Sequence, residues 1–593
     1  MKVVVLGGYG VFGSRLVDLL DRDEHQVVVA GRSQAKADAF VDGRDLEVIV
    51  CDRAGDLSPI WDAKPDIVVD AAGPFHAYGN DPYLLARGCI ANGAHYLDLA
   101  DDPAFCTGIS QLDAAAKGAG VFVLSGASSV PALSSAIVAD LAGEADAIEM
   151  IDTAILPGNR APRGRAVVES ILNQCGMPFE THVAGERVER RSWSGPRTFD
   201  LGQGLIRKGW LMEVPDTRLF GEAFDAQTVK FRAGMELPVM NHALAVISWL
   251  RGRLGFGIVP WFVSLLLWIA ACLKPFGTDV GGMSVAVTAR DGALWRRRTW
   301  RLVAQAGEGP FIPAVAARAI LRDPKSVGQG ARPAVGEVTR EAVEAAMNDL
   351  AVTTEVVDEE ITPLFPRFLG RAFADLPDVV QAGHLVPAPL RLTGRARVTR
   401  GPSLWARFLA ALFRFPVATD DIAVSVLMTP DGAGETWERR FGEQTFQSHL
   451  RIKGTYMTER FGPFTFRLGL HVAEGALHFP VLSGRLGPVP LPRFLLPVSE
   501  AREFAKDGRF NFDVRLSAPL TGALMVHYQG WLEPVAAKNL RFSNRDQQRV
   551  DRPGGGEGVH DLALQVGDLI QFTTGGQAFH AQQMPRLVVR IVG

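Results

Sequence analysis

Apolar and polar positions divide the chain into three regimes. Over residues 1–130, short wholly apolar runs alternate with stretches of helical period. Val3-Val4-Val5-Leu6 is the first run, and Leu16, Val17, Leu19 and Leu20 then fall on one side of a helix. Runs at 26–30, 46–52, 65–70, 95–99 and 120–124 follow, with helical stretches at 82–92 and 103–117. A strand apolar on both faces is buried between helix layers, so this alternation predicts an α/β domain with a doubly wound parallel sheet. Residues 131–335 predict an α+β domain. An apolar helix at 131–142 leads into a strand at 148–154. A helix at 165–172, a hairpin around Asp291-Gly292 with arms 284–290 and 299–304, and a helix at 312–321 packing back on the first domain come next. Residues 362–535 change period. A helix at 403–413 is followed by alternating sets: Ile422, Val424, Val426 and Met428, then Phe464, Phe466, Leu468 and Leu470, then Phe510, Phe512, Val514 and Leu516. These predict mainly antiparallel strands with one apolar face. Such a sheet, strongly curved, encloses an apolar ligand; otherwise it buries that face in an ordinary core, the plainer reading.

The joints are also legible. Asp323-Pro324, Gly328, Gly330 and Pro333 predict a boundary at 322–340. A polar helix at 340–350 and the acidic stretch Asp358-Glu359-Glu360 then lead to the third part. Residues 552–558, rich in glycine, predict a linker, and the tail to 593 alternates enough for strands. The arginines Arg296, Arg297 and Arg298 predict a solvated hairpin face rather than a polyanion patch. One segment stands out: 254–273 has no charge, two tryptophans and Pro260, with Arg251, Arg253 and Lys274 at its flanks. Its length suffices to span a bilayer. Spanning would, however, put the hairpin across the membrane from the domain that it completes. The two readings that avoid this are a helix or helical hairpin dipping into one leaflet, and a buried helix covering a cleft or a homodimer interface.

Composition narrows the class. The chain has 593 residues, 47% hydrophobic and 21% charged, enough for about three ordinary domains. A net charge of −3 gives no field to recruit nucleic acid. Five cysteines far apart, with no CxxC pair, predict reduced thiols in a cytosol and no metal site. Met1-Lys2 leads straight into the first strand, so no cleavable leader is expected. The expected location is cytoplasmic, with attachment on the cytosolic face if 254–273 contacts a membrane.

Chemistry centres on the first strand. Val5-Leu6 runs into Gly8-Tyr9-Gly10-Val11-Phe12-Gly13, a G-x-G-x-x-G turn that opens a helix. The glycines let a pyrophosphate approach the backbone, and the first helix amides face its charge. At the tip of the second strand the chain reads Ala30-Gly31-Arg32-Ser33, with no acid. A guanidinium there can grip a 2′-phosphate, and Ser33 can add a hydrogen bond, so NADP is favoured over NAD. Asp52 at the third strand tip either bonds the adenine amino group or caps the next turn. After the fourth strand, the small residues of Ala72-Gly73-Pro74-Phe75 leave room for the cofactor.

The run Gly73-Pro74-Phe75-His76-Ala77-Tyr78-Gly79, then Cys89-Ile90-Ala91-Asn92-Gly93-Ala94-His95-Tyr96-Leu97-Asp98, resembles the saccharopine dehydrogenase-like oxidoreductases. The likeness is specific over 1–135 and looser to about 350. It implies a Rossmann NADP-binding domain and a second, substrate-binding domain. Two departures touch the nicotinamide side. The family often has Gly-Glu-Pro where this chain has Asp101-Asp102-Pro103. Its lipid-related branch often has Gly-Phe-Asp-Ser-x-Pro where this chain has Gly126-Ala127-Ser128-Ser129-Val130-Pro131. Residues 362–535 resemble a domain of unknown function (DUF4166) found behind such domains, which implies no activity.

Candidate proton-handling residues are His76, Tyr78 and Asp98. Tyr78 and Asp98 match the family's tyrosine and its Tyr-x-Asp strand end. Because the second domain is rich in tryptophan and apolar, the expected substrate is a small apolar or lipid-like molecule. Two alternatives stand beside this oxidoreductase: a non-catalytic NADP-binding, lipid-associated sensor, and an amino-acid dehydrogenase of saccharopine type, which paired arginines in the cleft would favour.

Overall fold

The computed structural model of the chain describes residues 1–162, 165–257 and 259–535. The expected linker at 552–558 and the tail beyond it lie outside the described residues.

The first domain is the parallel sheet that the apolar runs predict. Strands β1 (Lys2–Leu6), β2 (Gln26–Gly31), β3 (Glu47–Val50), β4 (Ile67–Asp70), β5 (His95–Asp98) and β6 (Phe122–Ser125) lie in the order β6, β5, β4, β1, β2, β3. The order reverses between β1 and β4, which puts a ligand crevice at their carboxyl ends. Helix α1 (Gly13–Arg22) packs Leu16, Val17, Leu19 and Leu20 against the sheet. A seventh strand, Gly330–Pro333, pairs with β6. This corrects the expected boundary at 322–340: the glycines and prolines there read as a joint, yet Ala331 is buried against the sheet.

The second domain is a mixed sheet. Its long hairpin, Gly281–Asp291 with Leu294–Ala304, turns at the expected Asp-Gly and pairs on one side with Ala147–Leu156. On the other side it pairs with Val352–Glu360, in register Arg296↔Glu360, Arg297↔Glu359 and Arg298↔Asp358. The acidic stretch is therefore a strand of this sheet rather than a lead into the third part. The arginines face an acidic neighbour strand, and opposite charges across strands stabilise the pair. One face of the sheet, with Val285, Val287, Trp300 and Leu302, shares a core with helix Ser134–Ala142. Helix Ile312–Arg322 packs on α1 as expected: Arg318, 2% exposed, donates to Asp23 from Nε at 2.8 Å.

The apolar segment 254–273 is two pieces. Helix Pro238–Leu254 ends at Gly255, whose φ of 67° closes it, and a second helix, Pro260–Leu273, follows. Among the described residues no helix is long and apolar enough to cross a membrane. The third domain is built on a 13-stranded antiparallel sheet. Trp437, Phe441, Phe510, Phe512 and Tyr528 belong to its core.

Candidate active site

The glycine turn is shaped by close backbone approach. Gly7 has φ 80°, and a Cβ there would lie 2.7 Å from the Cα of Ala72. A Cβ on Gly13 would lie 2.2 Å from the carbonyl oxygen of Gly7. Both contacts are shorter than real Cβ atoms tolerate, so only glycine fits. Val11, Phe12 and Gly13 then open α1, where helix amides have no acceptor of their own. This cradle fits a pyrophosphate. Tyr9 ties it to the tip of β2: its ring lies against Gly31, and its hydroxyl accepts from the Ser33 amide at 2.9 Å. Ser33 caps helix α2 (Gln34–Val41) through the Lys36 amide at 3.4 Å. Arg32 between them is exposed at the strand tip. Asp52 Oδ1 accepts from the Ala54 amide at 3.0 Å, so its carboxylate caps its own turn.

Beyond the cradle, β4 and β5 end side by side on two carboxylates, Asp70 and Asp98, paired in register and both fully buried. Asp70 Oδ1 accepts from the Ala72 amide and from the Tyr78 hydroxyl, each at 3.1 Å. Arg53 donates to Asp70 Oδ2 at 2.9 Å, and its guanidinium lies 3.3 Å from the centre of the Tyr78 ring. This network fixes the turn Gly73-Pro74-Phe75 from below. Phe75 in turn packs at 5.1 Å against both Tyr78 and Phe105. Burial and the Asp70 charge push Tyr78 ionisation well above the usual phenol range. Its proton is therefore held, not offered.

Asp98 Oδ1 accepts from the amides of Ala100 at 3.0 Å and Gly126 at 2.7 Å, and from the Ser125 hydroxyl at 3.0 Å. Its Oδ2 is buried with no hydrogen-bond partner among the described residues. Burial pushes this carboxyl up to about 7, with the three donors opposing and the Asp70 charge adding. One oxygen thus binds the loops after β5 and β6 together, and the other can carry a proton near neutral pH. His76 stands apart, exposed on the short turn Phe75–Ala77. The structure brings Tyr78 and Asp98 together through Asp70, and leaves His76 on the solvent side.

Sequence reading missed Arg53 and Asp70, although Asp70 at a strand tip was a visible signal. It also missed the second domain's charge. Asp152, 1% exposed, is clamped by Arg197 and Arg232. Burial alone would raise its carboxyl, but Arg232 and Arg197 bring it below the usual range. Lys230 pairs in register with Asp152, and desolvation and Arg232 bring it down to about 7. The expectation of a merely apolar second domain is thus corrected on this face of its sheet. The opposite side of the domain is apolar as expected. One cluster joins Val130, in the loop after β6, to Trp193, Trp210, Leu172 and Val263.

Residues 3–124 match the model of a family described as the saccharopine dehydrogenase NADP binding domain, and residues 376–532 match that of a domain of unknown function (DUF4166). No curated protein was found to match the chain. Among solved structures the chain is similar to apo histidine-tagged saccharopine dehydrogenase (L-Glu forming) from Saccharomyces cerevisiae, at 14% identity and TM-score 0.44, covering 60% of this chain and 99% of that one. It is also similar to a probable dehydrogenase from Thermotoga maritima, at 10% identity and TM-score 0.32, over 58% of this chain and 93% of that one. A third likeness, to Gre2 in complex with NADPH from Candida albicans, has 17% identity and TM-score 0.15 over 16% of this chain and 36% of that one.

Proposed function

Because the N-terminal domain is a saccharopine dehydrogenase-like, NADP-binding oxidoreductase domain, we propose that the protein is an NADP(H)-dependent oxidoreductase acting on an apolar or lipid-like substrate. The cofactor supplies or takes a hydride when bound. The glycine turn would hold its pyrophosphate, with Arg32 and Ser33 at the 2′-phosphate. Ala72, Gly73, Pro74 and Phe75 form the small-residue floor, and Tyr78 holds that floor in place through Asp70. Asp98 sets the loops after β5 and β6, and its other oxygen would exchange a proton near neutral pH. His76, on the exposed turn, is the side chain placed to exchange a proton with solvent.

The observation that carries the apolar reading is the cluster from Val130 to Val263. It runs from the nucleotide domain's last loop to helix Pro260–Leu273, whose outer face is bare: Trp261 is 67% exposed and Trp268 65%. A substrate drawn from a lipid surface would meet this helix first. In this reading the helix pair lies in one leaflet, its tryptophans at the interface and Arg253 and Lys274 beside acidic headgroups. The test is NADPH oxidation by the purified chain against fractions of a lipid extract, followed by nicotinamide absorbance. Turnover on an apolar fraction is expected. Tight NADPH binding with no turnover on any fraction would overturn the enzyme reading in favour of a sensor. The amino-acid dehydrogenase remains a second reading because two arginines, Arg197 and Arg232, converge in the second domain, where both bind Asp152. Turnover confined to amino or oxo acids in the same assay would select it.

A further inference from the structure

The third domain's sheet closes on itself. Strand Phe464–Leu468 resumes two residues later as His471–Ala473, and Ala476–His478 resumes as Val481–Leu486. These four pieces form one long hairpin, with Gly469 donating to the Pro480 carbonyl at 2.9 Å across the joint. One arm pairs outward with Tyr456–Phe461. The other pairs with Val498–Lys506, where the Phe479 amide donates to the Ala501 carbonyl at 2.9 Å. Both ends of the sheet thus meet in this hairpin, and the result is a barrel.

The barrel is not filled. Its interior holds a cavity of about 130 Å³ that opens to solvent at one mouth. That is close to the roughly 150 Å³ of a dry cavity that takes up benzene. Protein cores otherwise leave few voids above the size of a water. The wall is apolar, with Val426, Phe512 and Leu468 among its residues, and it carries a few polar groups. Arg439 lies between Trp437 and Phe441 on the inward face of its strand. It donates to the Ser448 hydroxyl at 2.7 Å and to Glu459 Oε1 at 3.3 Å, and its guanidinium lies 4.8 Å from the Trp437 ring centre. On an apolar wall an ion pair costs desolvation that its own attraction barely offsets, so stability does not explain its place. A guanidinium has five N–H donors, more than these two contacts use.

We propose that this chamber binds a small apolar molecule that ends in a carboxyl or carbonyl oxygen, with its body along the apolar wall and its oxygen on Arg439. The site is separate from the hydride site and does not rest on the oxidoreductase reading. Its test is a fluorescence titration of the full chain with cis-parinaric acid and with the matching hydrocarbon. Saturable one-to-one binding of the acid is expected, weaker for the hydrocarbon. Ala501→Phe puts a ring into the chamber and should lower affinity about tenfold or more. Arg439→Met combined with Glu459→Gln removes both charges without stranding either, and should bring the acid down to the hydrocarbon's affinity. NADPH binding by the first domain and far-UV circular dichroism report that each variant is folded. No saturable binding by the folded chain would overturn the proposal. So would binding that Ala501→Phe leaves unchanged, which would place the probe on the exposed helix pair instead.

Discussion

Asp98 shows how much one residue can be asked to do. Its Oδ1 gathers three donors, while its Oδ2 has none among the described residues. The folded-state carboxyl titrates near 7, above its ordinary value of 3.8. A carboxyl raised in this way binds its proton more tightly folded than unfolded. Its contribution is therefore full below about pH 4 and is lost as pH rises toward about 7. Asp98→Asn keeps an oxygen for the three donors but cannot titrate. The stability difference between wild type and Asp98→Asn, from urea unfolding, should shift against wild type by a few kcal/mol, in order of magnitude, between pH 4 and pH 8. A difference independent of pH would show that the carboxyl is not protonated in the fold. The sequence disclosed Asp98 as a strand-end acid, but not this division of labour. Which donors converge on an oxygen depends on the distant loop at Ser125 and Gly126, and no local pattern carries that. The glycine turn is the opposite case. Its spacing alone implied a sharp backbone turn, and the contact of Gly13 with Gly7 that shapes this turn is met within a few residues.

At the level of elements, period and length were reliable where a segment folds against its neighbours in the chain. The Asp291-Gly292 hairpin and α1 follow from alternation and helical spacing directly. Two short or charged strands that pair at long range are not legible in the sequence. Gly330–Pro333 is four residues of punctuation-like sequence, and only the open edge of β6 makes it a strand. Val352–Glu360 was hidden by its acids, whose match to Arg296, Arg297 and Arg298 is visible only in the sheet. The apolar segment 254–273 reads as one run in the sequence, but Gly255 and Pro260 divide it. Helix Pro260–Leu273 is anchored inward by Val263, 3% exposed, and by Asn159, which donates to the Leu273 carbonyl at 2.8 Å. Its tryptophans point the other way. If this face meets lipid, Trp261→Glu with Trp268→Glu should reduce co-sedimentation with vesicles containing phosphatidylserine at least about tenfold, since inserting charge into the interface is costly. Unchanged co-sedimentation would remove the leaflet reading.

Among the described residues, the three large sheets differ in kind: a nucleotide cradle, a mixed sheet with one apolar and one charged face, and a barrel. The first two are locked together by Arg318, which bonds Asp23 beside α1 and Asp349 near helix Arg340–Ala345. With the guanidinium buried, Arg318→Met would take one partner from Asp23, which keeps Arg322, and one from Asp349, which keeps Arg22. It should cost about 2 kcal/mol at neutral pH, measured by thermal or urea unfolding. The arginines hold the Asp23 carboxyl well below its ordinary range. The penalty should therefore shrink as pH falls and the carboxylates are protonated. A variant as stable as wild type would mean that the lock is dispensable.

The strand Gly330–Pro333 has a consequence in time. The first sheet lacks its outermost strand until the chain has run on from Ser125 to Gly330. At roughly 5–20 residues per second, a ribosome needs about 10–40 s to make that stretch. Throughout that interval β6 is an unpaired edge, open to any strand that reaches it first. The nucleotide-binding domain, although encoded first, is thus finished only after most of the second domain has been made. A nascent chain halted before Gly330 carries an open edge that the completed protein has covered.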